Sequence, residues 1–186
     1  MAKLTKERAL ELVKATNPSP SLMRHVIAVS AAMGAMAKYF DEDVEYWEAV
    51  GLLHDYDCAQ YPEEEHLQNI DKMLRKLDVD EESIRAVMAH GWGICSDVEP
   101  LSNLEISLYT MDGVSGIVSA AAKMRPTGIS DMNASSVTKK FKDKSFTREV
   151  NRPRITKGVE KLGIDRAKVF EICIEGLKPH ADYLGL

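Results

Sequence analysis

Apolar residues recur along this chain at intervals of three and four, the spacing of one helix face, and no stretch alternates apolar with polar residues as a half-buried strand does. The pattern predicts an all-α fold. A first amphipathic helix spans 5–16 and stops at Asn17-Pro18-Ser19-Pro20, because proline disfavours helical geometry in the residue before it. A long second helix covers 21–40. Asp41, Glu42 and Asp43 put negative charge where the dipole of a third helix, 44–53, favours it. After a loop through Tyr61-Pro62, helices are expected over 63–77 and 80–90, the second broken by Gly91-Trp92-Gly93. Ser102 and Glu105 form a capping box for a helix over 102–124, ended by Arg125-Pro126. Helices over 135–142, 152–162 and 165–184 complete the pattern, beyond a turn region at 128–131.

With 186 residues, 45% of them hydrophobic, the chain has material for one sizeable core and too little for two. A single domain over 1–186 is expected. No apolar run approaches the roughly 20 residues of a bilayer crossing, and the first residues read as an amphipathic helix rather than a leader, so neither membrane contact nor a signal peptide is expected. Cys58, Cys95 and Cys173 lie far apart and form no Cys-x-x-Cys pair. That fits a reducing cytoplasm, with all three buried as small apolar residues in preference to a reactive thiol at Cys58. The net charge of −5 is uneven, since 138–154 holds seven basic residues against Asp143 and Glu149. An acidic body with one short basic segment argues against general nucleic-acid binding.

Four of the five histidines fall on helices with an apolar face or at helix ends: His25, His54, His66 and His90. Asp112 lies mid-helix in the apolar stretch ISLYTMDGVSGIV, with no Lys or Arg within one turn. Burying an unpaired carboxylate is costly, so Asp112 calls for a metal or for a cation from elsewhere in the chain. Consecutive helical residues point about 100° apart, so His54 and Asp55 reach one centre only near a helix end, which is where the pattern puts them. Imidazoles and carboxylates without clustered thiolates suit a catalytic rather than a structural metal site.

This ordered set resembles the HD superfamily of metal-dependent phosphohydrolases, whose pattern is a histidine, then His-Asp, then a later aspartate, all on helices. Here the pattern reads His25, His54-Asp55 and Asp112, in AVGLLHDYD, AVMAHGWG and LYTMDGVSG, much as in small bacterial HD proteins. The match covers a motif core of about 22–124. The Arg-Pro turn and the basic stretch VTKKFKDKSFTREVNR, also similar to small HD-type hydrolases, extend it through a C-terminal helical extension, 125–186. The resemblance implies an HD-type bundle with the metal site between its central helices. His66 and His90 match the extra histidines of dinuclear members, which implies two divalent metals: His25, His54 and Asp112 on one, His66 and His90 on the other, Asp55 between them. Iron or manganese is preferred, with zinc, cobalt, nickel or magnesium also compatible.

The expected activity is hydrolysis of a phosphate ester, a nucleotide or other small phosphorylated metabolite, by a metal-activated water, with His54 and Asp55 as the catalytic pair. Arg24, Arg125, Lys139, Lys144, Arg148 and Arg152 are candidates to hold the substrate phosphate. Two alternatives stand beside this reading. One is a di-iron oxygenase, ranked lower because NPSPSLMR before His25 lacks the Tyr and Glu that phosphonate-cleaving relatives carry there. The other is a non-catalytic nucleotide-binding domain, disfavoured by the complete ligand set. Asp57 is read as a loop carboxylate rather than an orienting group, His180 as a surface residue, and Trp47 and Trp92 as core or pocket wall.

Overall fold

The computed structural model describes residues 3–186, and its regular structure is helical, with one isolated bridge between Trp92 and Ser96. Capping chemistry sets most helix starts. Thr5, Ser19, Asp43 and Asp80 each accept a backbone N–H from the first turn of α1 (Lys6–Ala15), α2 (Pro20–Phe40), α3 (Val44–Leu53) and α5 (Glu81–His90). The capping box of Ser102 and Glu105 opens α6 (Asn103–Lys123). Asn133, Asn151 and Asp165 cap α7 (Ala134–Lys142), α8 (Arg152–Leu162) and α9 (Arg166–Leu177) in the same way.

Two expected helices are interrupted. Residues 63–77 are not one helix but a 3-10 turn (Glu63–Glu65), an irregular stretch, and the short α4 (Ile70–Lys76). The break is at Leu67, whose φ of 64° is left-handed and whose N–H is taken by the Asp57 carboxylate at 2.6 Å. The last helix ends at Leu177, because Pro179 has no N–H to continue the ladder. A 3-10 turn (Lys178–His180) and α10 (Ala181–Leu184) follow.

Helix α2 lies at the centre, packed on α3, α6 and α9, while α6 also carries α5 and α8. The buried apolar side chains join in one cluster running from Leu4 to Leu184, as a single domain requires. Two glycines let helices approach closely. A Cβ on Gly51 of α3 would lie 2.8 Å from the Ser30 Cα of α2, so that pair of backbones tolerates no side chain between them. A Cβ on Gly158 of α8 would stand 3.0 Å from the Thr110 Cβ of α6. Those two contacts fix how α3 and α8 present their residues to the central pair. Among the described residues no helix is long and apolar enough to cross a membrane.

Candidate metal centre

The six expected ligands come together from five separate segments. His25 stands on α2, His54 caps the C-terminus of α3, and Asp55 follows where the helix has ended. His66 follows the 3-10 turn, His90 is the last residue of α5, and Asp112 sits in the middle of α6. His54 and His90 are fully buried, and the other four are partly so.

Asp55 faces two ways. Its Oδ2 lies 3.3 Å from both His25 Nε2 and His54 Nε2, which are 3.1 Å from each other. Asp112 Oδ1 closes this group at 3.2 Å from His25 Nε2 and 3.8 Å from His54 Nε2. The other oxygen, Oδ1, lies 3.6 Å from both His66 Nε2 and His90 Nε2, themselves 3.3 Å apart. Ligands held about 2.0–2.2 Å from one cation are spaced by roughly 3.0–3.6 Å in tetrahedral or octahedral arrangements, so these groups fit a metal ion.

The far side of three of the rings shows how their donors are aimed. His54 Nδ1 donates to Gly51 O at 2.7 Å, and His90 Nδ1 to Val87 O, each a carbonyl freed at a helix end. Those bonds leave Nε2 as the lone-pair nitrogen facing the centre. His66 Nδ1 donates to Asp57 Oδ1 at 3.0 Å, while Asp57 Oδ2 accepts the Leu67 N–H. Asp57 is 1% exposed, so the loop-carboxylate reading is corrected: it is a buried group that orients the His66 ring.

The electrostatics match a cation site. Burial opposes ionisation of Asp112, but the guanidinium of Arg154 and the neighbouring histidines hold its carboxyl well below the ordinary range. Burial likewise opposes the Asp55 carboxylate, and His54, His25 and His90 outweigh it. Burial works against a charge on His25, yet Asp112 and Asp55 raise its pKa to about 10. His90, enclosed on every side, is pushed the other way by burial and stays neutral. The protein's own acids thus recruit positive charge into this pocket.

Arg154 is the residue that the sequence reading passed over. Its Nη1 lies 2.8 Å from Asp112 Oδ2, its Nη2 donates to His90 O at 2.7 Å, and the guanidinium stacks 4.9 Å from the Tyr109 ring. One side chain of α8 therefore touches a residue on each side of the centre. The basic stretch 138–154 contained the signal, but spacing along the chain could not single out its last member.

The substrate-holding candidates divide. Arg152 spends its guanidinium on the carbonyls of Phe141, Thr147, Asp143 and Phe146, and so staples the loop before α8. Arg125 is likewise used by Gly128 O, Ser136 Oγ and Asp131 Oδ1. Both guanidiniums are thus engaged within the protein. Lys144 lines a shallow groove with Arg152, Lys157 and Arg166 that includes none of the six ligands, and Lys139 and Arg148 are exposed. Arg24 shares a cavity wall with His25.

The cysteines also differ from expectation. Cys173 is buried, Cys58 is half-buried and Cys95 is exposed. Cys58 Sγ approaches His66 Nδ1 to 3.4 Å, and burial together with Asp55 and Asp57 pushes its thiol pKa up, against thiolate reactivity. Trp47 belongs to the core, whereas Trp92 is half-buried beneath the Lys157 ammonium, 3.7 Å from the ring centroid. His180, in the turn after α9, is only partly exposed.

An all-helical fold that gathers these His and Asp side chains into a group able to hold a metal is compatible with an HD domain. No protein-family model, curated protein or solved structure matches the chain.

Proposed function

We propose that this chain is a metal-dependent phosphohydrolase whose six ligands hold two divalent cations bridged by Asp55. The observation that carries the reading is the division of Asp55, with Oδ2 turned to His25 and His54, which Asp112 also approaches, and Oδ1 turned to His66 and His90. Paired cations supply Lewis acidity at both the attacking and the leaving oxygen of a phosphoryl displacement, together with a nucleophile at neutral pH. The chain's own groups do the rest. Hydrogen bonds to Gly51 O, Val87 O and Asp57 hold three imidazoles in a single tautomer, so that no proton stands between donor and cation. Arg154 keeps Asp112 ionised and fixes which of its oxygens faces inward. The HD pattern of His25, His54-Asp55 and Asp112 supports the same reading, and hard oxygen and imidazole donors favour iron or manganese over a thiolate-seeking metal.

The test is release of inorganic phosphate from a panel of nucleotides and small phosphate esters by protein loaded with Mn²⁺ or Fe²⁺. Turnover that disappears in Asp55→Ala is the expected result. Oxygen consumption by the iron form without phosphate release overturns the proposal in favour of an oxygenase. Saturable nucleotide binding without turnover overturns it in favour of a binding domain.

A further inference from the structure

A cavity of about 170 Å³ opens beside His25, between the first turns of α2 and the second half of α6. Its polar wall is Ser21, Arg24, His25, Ser115, Ser119 and Lys123, and no carboxylate lines it. The spacing along both helices is informative. On α2, Ser21 is one turn before His25; on α6, Ser115, Ser119 and Lys123 follow Asp112 at three, seven and eleven residues, a continuous stripe of one face. The cavity is therefore the prolongation of the seam that holds the two ligands. At 1.5 Å of rise per residue, its hydroxyls lie roughly 5–10 Å along the helix axes from them.

Two cations face this seam, and among the described residues neither forms an ion pair with an acid. Arg125, Arg152 and Arg154 are all engaged by protein acceptors, whereas Arg24 and Lys123 are exposed on the cavity rim. Like charges gathered at a concave, hydroxyl-lined site favour an anion there. We propose that this cavity binds a second anionic group of the substrate, a carboxylate or a further phosphate, joined to the scissile phosphate by a short spacer. The site is lined by hydroxyls and cations, so the preferred substrates are small bis-anionic phosphate esters rather than simple monoesters. This rests on the phosphohydrolase reading for the position of the scissile phosphate.

The experiment compares two probes of the same length, 3-phosphoglycerate and glycerol 3-phosphate, which differ by one carboxylate. Their binding to Mn²⁺-loaded protein is measured by calorimetry, without dependence on turnover. The wild type is expected to prefer 3-phosphoglycerate by about tenfold or more, the scale of one or two charge-assisted hydrogen bonds. In Lys123→Gln and Arg24→Gln, both at exposed positions, the ratio of the two affinities should fall to within about twofold. Equal affinities in the wild type, no measurable binding of either probe, or a preference that survives both substitutions overturns the subsite. Phosphate release from the same probes separates the two readings: preference without turnover leaves the subsite standing and removes the hydrolase, and turnover without preference does the reverse.

Discussion

The two sides of Asp55 are built by different means. On one side His25 and Asp112 project from the middle of long helices, and His54 from the end of a third that Gly51 locks against α2. Their geometry is set by core packing. On the other side His90 is held at a helix end, but His66 hangs on an irregular stretch between a 3-10 turn and α4. There a single carboxylate, Asp57, substitutes for a helix by binding His66 Nδ1 with one oxygen and the Leu67 N–H with the other. Leu67 accepts a left-handed backbone to allow this, at a cost of about 1 kcal/mol. Regular helices position the first side, whereas His66 on the second depends on the hydrogen bonds of Asp57, and the two should respond differently to perturbation.

The largest effect is expected from Asp55→Ala, which removes an oxygen from both sides. Metal content should fall close to zero and turnover by at least about a thousandfold while the circular dichroism stays helical. Retention of half the metal would show that Asp55 does not serve both groups. Next is Asp112→Asn, which leaves the mostly buried Arg154 guanidinium without its ion partner. A loss of about 3 kcal/mol in urea unfolding of chelator-treated protein is expected, with part regained in Asp112→Asn combined with Arg154→Met. A loss unchanged in the double variant would contradict the pairing.

Asp57→Asn should act on one side alone. Metal affinity at the His66 and His90 group is expected to weaken about 10- to 100-fold, with the other group unaffected. Equal weakening of both would erase the proposed contrast. The last comparison is in pH dependence. In chelator-treated protein His25 is raised from 6.5 to about 10, so its contribution to stability is complete below about pH 6.5 and is lost as pH rises through about 10. A metal must displace that proton, so metal affinity should climb over the same interval in which metal-free stability declines. Parallel rather than opposing slopes would refute this.

The helical side was the part legible in the sequence. Caps such as Ser102 with Glu105, the apolar periodicity around His25 and Asp112, and the helix end at His54 are local properties, and the structure follows them. The costly burial of Asp112 pointed to a metal or a distant cation, and the distant cation is Arg154. What was not legible depends on contacts between residues far apart in the chain. The stretch 63–77 reads as one helix until Asp57, outside it, takes the Leu67 N–H. Arg152 and Arg154 are two residues apart and chemically identical, yet one staples a loop and the other enters the centre, because successive helix positions point in different directions.

The measurement that bears most directly on the central claim is the metal-to-chain ratio by elemental analysis, on untagged protein purified without chelator, beside His66→Ala. About two equivalents in the wild type, falling to about one in the variant with the fold intact, is the expected result. Near-zero metal in both, with no uptake after addition of Fe²⁺ or Mn²⁺, would contradict it and return these histidines to a structural role.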